Sequence, residues 1–88
     1  MWTVKMIMKY VLIYVCDREI EVPEFFDTHK EAHDEMCRQF AEIYNITVEE
    51  ANEVYSTENG DEEQAIATNS AWCEKHGHSF DWKIFQCP

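Results

Sequence analysis

Between Thr28 and Asn45 apolar residues recur every three to four positions. Ala32, Met36, Phe40, Ile43 and Tyr44 fall on one side, and Asp34, Glu35, Arg38, Gln39 and Glu42 on the other. That period predicts an amphipathic helix. Its ends are marked as well. Thr28 and Glu31 have the spacing of a capping box, in which the threonine hydroxyl and the glutamate carboxylate each satisfy a backbone N–H. Asn45 suits a left-handed stop. Thr47 with Glu50 repeats the start signal, flanked by Ile46 and Ala51 at the positions of a hydrophobic staple. Val48, Ala51, Val54 and Tyr55 then give a short second helix one apolar stripe.

The pattern changes towards both ends. Lys9 to Cys16 (KYVLIYVC) is dense in β-branched and aromatic residues, too short for a buried helix, and free of turn residues. It reads as a central strand covered on both faces. Asp17-Arg18-Glu19 turns the chain, and Ile20, Val22, Phe25 and Phe26 add a short extended stretch that Pro23 confines to an edge. Ser56 to Gln64 (STENGDEEQ) is a surface loop turning at Asn59-Gly60. Beyond it, Ala65 to Cys73 alternates in part, with Ile66, Thr68, Ser70 and Trp72 on one side. Phe80, Trp82 and Ile84 alternate with Asp81, Lys83 and Phe85. The two runs predict a β-hairpin that turns between Glu74 and Ser79 around Gly77. A helical turn over Asn69 to His76, stopped by Gly77, is the competing reading. The hairpin is preferred because it supplies antiparallel partners for the first strand.

The expected architecture is therefore α+β: a small antiparallel sheet of about three strands, one long helix packed on a face, and a short second helix. Eighty-eight residues allow one domain, 1–88, with 1–7 as a dispensable N-terminal extension because Met6 and Met8 offer alternative starts. Five Phe, four Tyr and three Trp are enough for a small core, and two glycines with two prolines argue against low complexity.

Charge changes the functional picture. A net charge of −11 repels phosphate, which disfavours direct binding to nucleic acid or to an anionic membrane. Four cysteines would suit two disulfides in a secreted protein. However, Lys5 and Lys9 interrupt the apolar start, and no small-residue cleavage site follows. The expectation is a cytoplasmic protein with reduced thiols.

From Arg38 to Lys75 no lysine or arginine intervenes, while the segment holds Glu42, Glu49, Glu50, Glu53, Glu58, Asp61, Glu62, Glu63 and Glu74. So many unneutralised carboxylates repel one another, and spaced acids can take the place of phosphates against a basic groove. Glu49, Glu50, Glu53, Glu58, Asp61, Glu62 and Glu63 are the candidate partner-binding residues. A solvated face that serves solubility alone is the plainer explanation.

Cys73, His76 and His78, with Cys87 near the end, form the sharpest metal-like pattern, since thiolate and imidazole are the ligands zinc prefers. Their spacing matches no standard knuckle. His29, His33 and Cys37 stand one turn apart on the first helix, but the run HKEAH lacks the glutamate placement of a zinc protease. There His29 is expected exposed and Cys37 at the margin of the core. Ser56, Ser70 and Ser79 lie in no nucleophile elbow, and Gly60 and Gly77 are too far apart for a phosphate loop.

Ser70-Ala71-Trp72, then His76-Gly77, then Asp81-Trp82-Lys83-Ile84-Phe85 resemble the tail of short uncharacterised proteins of bacterial and phage origin. Size and acidity are similar to those of anti-CRISPR-type inhibitors. The resemblance carries no known activity; the acidic helix-loop surface makes a non-enzymatic protein that engages a basic, nucleic-acid-binding surface of a partner, as an inhibitor, the first functional expectation. The alternative from another class is a small zinc module built on Cys73, His76, His78 and Cys87.

Overall fold

The computed structural model describes residues 9–56 and 63–87. Strand β1 (Tyr10–Cys16) is followed by two short strands, β2 (Glu19–Ile20) and β3 (Glu24–Phe26). Helices α1 (His29–Tyr44) and α2 (Val48–Tyr55) come next, then β4 (Ala65–Ile66), β5 (Ser70–Lys75) and β6 (His78–Gln86). All strand pairings are antiparallel, in the order β2-β1-β6-β5-β4, with β3 pairing β1 beside β2.

Both helices start as the sequence predicts. Thr28 and Thr47 each make a complete capping box, with Glu31 and Glu50 respectively. Asn45 closes α1 at φ 57°, and its N–H donates to the carbonyls of Ala41 and Glu42. The turns that join strands follow the same local chemistry. Asp17 and Arg18 (φ 51° and 73°) link β1 to β2, and His76 and Gly77 (φ 54° and 80°) link β5 to β6. Two positive-φ residues in a row match the right-handed twist of the flanking strands.

The sheet is larger than about three strands. Three long strands, β1, β6 and β5, form its centre, and β2, β3 and β4 add three short ones. Pro23 splits the stretch after β1 into two pieces, because it cannot donate a ladder hydrogen bond. The run from Ala65 to Cys73 is likewise broken: the chain folds back at Ala67–Asn69, where the Ala67 N–H donates to the Ser70 carbonyl at 2.7 Å. Ile66 therefore pairs with Ala71 and faces the helices, while Trp72 faces the opposite way. No helical turn forms over Asn69 to His76, which lie in and beside β5.

Helix α1 lies across one face of the sheet. Ala32, Met36, Cys37, Phe40 and Ala41 are buried beneath it against Leu12, Ala71, Cys73, Trp82 and Ile84, and Ala51 of α2 closes the layer. Aromatic rings fill the middle. Phe40 packs on Tyr44, Tyr55 and Trp82 with centroids 5.2, 5.4 and 5.7 Å away, and Tyr14 stacks on Trp82 at 5.2 Å. No buried side-chain polar atom among the described residues lacks a partner.

One expectation about the first strand fails. The composition of β1 predicts cover on both faces, yet the helices cover only the side bearing Tyr10, Leu12 and Tyr14. Val11, Ile13 and Val15 alternate onto the other side, where the register sets them beside Phe25, Ile20 and Phe85. No described helix crosses that face. Among the described residues the apolar run is thus two-sided without a second covering layer.

Candidate functional site

The helical layer carries the acid. On α1 and α2 stand Glu31, Asp34, Glu35, Glu42, Glu49, Glu50 and Glu53, against only Lys30 and Arg38. Both cations are already engaged. Lys30 pairs with Asp34 at 2.7 Å, and Arg38 bridges Glu35 at 2.7 Å and Glu42 at 2.6 Å. The Arg38 guanidinium holds the Glu35 carboxyl below the usual carboxylate range. Neither helix has a basic residue in its last turn, so the partial negative charge at each C-terminus adds to the field.

Helix α2 presents Glu49, Glu50 and Glu53, all exposed, on one short element with no cation of its own. Glu50 has a second role, because its Oε1 accepts from the Thr47 backbone N–H and hydroxyl, both at 3.1 Å. Glu63 is exposed just before β4. Glu58, Asp61 and Glu62 lie outside the described residues, as does the expected turn at Asn59-Gly60.

Where α1 meets the β2–β3 edge, an open cleft of about 260 Å³ is lined by Glu21, Glu24, Glu42, Arg38, Gln39 and Tyr14. Gln39 organises its floor. Its Nε2 donates to Glu24 at 2.7 Å and Glu35 at 2.8 Å, and its Oε1 accepts the indole N–H of Trp82 at 2.9 Å. Burial, with Cys16 nearby, pushes the Tyr14 phenol up to about 12, so it remains protonated. Three carboxylates around one doubly paired arginine suit a cationic side chain at the mouth. Gln39 fell on the polar side in the sequence pattern. Only its neighbourhood to an indole two strands into the sheet reveals its function, and no spacing encodes that.

The structure does not bring Cys73, His76, His78 and Cys87 together. Cys73 faces the helices and is buried, which pushes its thiol up to about 12. His76 stands in the β5–β6 turn, while the Nδ1 of His78 is 2.6 Å from Asp17. Cys87 follows the far end of nine-residue β6, roughly 30 Å from that turn at strand rise. Among the described residues no group of three or more His, Cys, Asp or Glu could hold a metal ion.

The histidines of α1 have a structural use. His29 is half-buried rather than exposed; its Nε2 lies 2.8 Å from Asn69 Oδ1 and 3.1 Å from the Thr68 carbonyl. His33 Nδ1 reaches the same carbonyl at 3.2 Å. Together they tie the start of α1 to the β4–β5 connection. Cys37 is fully inside the core instead of at its margin, and its thiol donates to Asn52 Oδ1 at 3.6 Å. All four cysteines are unpaired, and no described helix is long and apolar enough to cross a membrane.

Comparison of the chain with known protein families, with curated proteins and with solved structures finds no match.

Proposed function

We propose that this chain is a non-enzymatic binding protein whose acidic helical layer engages a basic surface of a partner, as an inhibitor of the phage or mobile-element type would. The observation that carries the reading is the charge balance of that layer: both of its cations are locked in internal pairs, while Glu49, Glu50 and Glu53 stand exposed on an element without any. A surface of fixed carboxylates at helical spacing matches the lysines and arginines that elsewhere grip phosphate. The cleft beside Gln39 extends it with Glu21 and Glu24. Cytoplasmic residence suits both the reduced thiols and such a target.

The test is capture of partners by the intact chain, with salt as the variable. Captured proteins should be basic, and binding should fall steeply as ionic strength rises through the range where the Debye length shortens from about 10 to 3 Å. Glu49→Lys with Glu53→Lys and Glu50→Gln should abolish capture; glutamine at 50 preserves the capping box and so the helix. Capture that survives the triple change, or that ignores salt, refutes the reading.

A further inference from the structure

The sheet face that no described helix crosses differs from the rest of the described structure. Val11, Ile13 and Val15 of β1 run down its centre, flanked by Ile20, Phe25 and Phe85, which are 68%, 54% and 52% exposed. Ile13, Val15, Ile20 and Phe85 line an apolar groove of about 360 Å³. On β5, Trp72 extends the patch across the neighbouring strand. Of the side chains that the register puts on this face, only Lys83, Asp81 and Glu74 are charged. A chain of net charge −11 thus keeps almost none of that charge here.

We propose that this face is the interface of a symmetric homodimer, packed sheet on sheet. Three observations select a second copy of the chain as the occupant. The first is charge. A chain of −11 repels its own copy unless the acidic surfaces are kept apart. Face-to-face packing does this, setting the two helical layers on opposite outer sides. They then lie about 30 Å apart, from a sheet spacing of about 10 Å plus a helix diameter of about 10 Å on either side. That is nearly four Debye lengths at physiological salt, where the length is about 8 Å.

The second is self-complementarity. Lys83 and Asp81 are two residues apart on β6 and share the face. Among the described residues neither makes a side-chain hydrogen bond or ion pair. A two-fold axis between them sets each lysine against the aspartate of the other copy, as an isologous contact requires.

The third is size. Seven residues of β1 by four strands, β2 or β3 through β5, span roughly 23 by 19 Å. Two such faces together present about 900 Å² in projection, close to the roughly 1,000 Å² that a specific interface needs. The sheet edges offer no competing mode. Glu19, Glu21, Pro23 and Glu24 line one edge, and β4 at the other is two residues long and already bridged to Ser56.

Sedimentation equilibrium of the intact chain tests this directly, with twice the 10.5 kDa chain mass expected at micromolar concentration. Phe85→Glu should raise the dissociation constant roughly a hundredfold while far-UV circular dichroism stays unchanged, because the side chain is half exposed in the monomer. Val54→Glu, on the helical side, should leave the dimer intact. Lys83→Asp should weaken the dimer about tenfold, and adding Asp81→Lys should restore most of the loss. A chain that remains monomeric at about 1 mM overturns the proposal. So does a dimer broken by Val54→Glu but indifferent to Phe85→Glu, and a double swap no tighter than Lys83→Asp alone overturns the Lys83–Asp81 contact.

Discussion

Replacing Gln39 by methionine keeps the length and flexibility of the side chain and removes both of its polar groups. Three hydrogen bonds go with them: two to Glu24 and Glu35 at the surface, and the one from the Trp82 indole at 2.9 Å. The surface pair are replaced by water. The indole bond is not, because Trp82 is 1% exposed and packed under α1 between Phe40 and Tyr14. A buried donor left without an acceptor costs about 1–3 kcal/mol. A domain of this size loses roughly 4–8 °C of melting temperature per kcal/mol, so Gln39→Met should melt about 5–20 °C lower. Gln39→Glu keeps the acceptor but adds a third carboxylate beside Glu24 and Glu35, so it should also be destabilised at neutral pH and should recover as the carboxylates protonate. A double-mutant cycle with Trp82→Phe in denaturant melts isolates the bond. The expected coupling is about 1 kcal/mol or more. Zero coupling, with Gln39→Met melting like wild type, would refute the assignment of Gln39 as the buried acceptor.

Phe40→Ala removes a fully buried ring that touches three other aromatics, which costs about 3–5 kcal/mol against a total of roughly 4–13 for a chain this long. It should be largely unfolded, whereas Glu42→Ala, on an exposed Arg38 pair, should change the unfolding free energy from denaturant melts by under about 0.5 kcal/mol. Asp17 should make stability acid-sensitive. The Ser79 backbone N–H first, and His78 second, hold its carboxyl below the usual range, so its contribution is complete above about pH 4–5 and is lost as pH falls through the lowered value. The difference between wild type and Asp17→Asn in melts across pH should follow that course; a gap that widens on acidification would contradict it. Disulfide-exchange reagents on the native protein at pH 8 should modify Cys16 and Cys87, which are half-exposed, well before Cys37 and Cys73, whose thiols burial pushes up. Four equal rates would place the buried pair outside the core.

Local signals were the legible part of the fold. Both capping boxes, the Asn45 stop and the Gly77 turn sit where residue chemistry puts them, because each is decided within four residues. The stripe of α1 was readable for the same reason, since period depends on spacing alone. What could not be read depends on residues far apart. The fold-back at Ala67–Asn69 is held by the β4–β5 pairing and by the two α1 histidines at Thr68, so alternation across Ala65 to Cys73 pointed to one strand instead of two. The apolar run in β1 showed that both its faces want cover, but not what covers them. Of the candidate partner-binding acids, exposure of Glu49, Glu50 and Glu53 followed from the helix period. The double duty of Glu50 was already present in its capping box. Cys87 is carried away from the Cys73, His76 and His78 turn region by the nine residues of β6, a length that alternation alone did not bound, and Cys73 is turned inward to the helices.

The strand order has a consequence for how the chain is made. β1 lies between strands far apart in the sequence, and its long partner is β6, the last of the described strands in chain order. Until β6 appears, β1 has only the two short strands β2 and β3, and α1 has no finished floor on which to lie. The hairpin of β5 and β6 can close locally within microseconds. The decisive step is its docking on β1 across about sixty residues of intervening chain, a loop closure that must wait until all of that span and β6 itself have been synthesised. Nascent chains arrested before His78 should therefore be protease-sensitive throughout, with protection gained in one step once Gln86 has emerged.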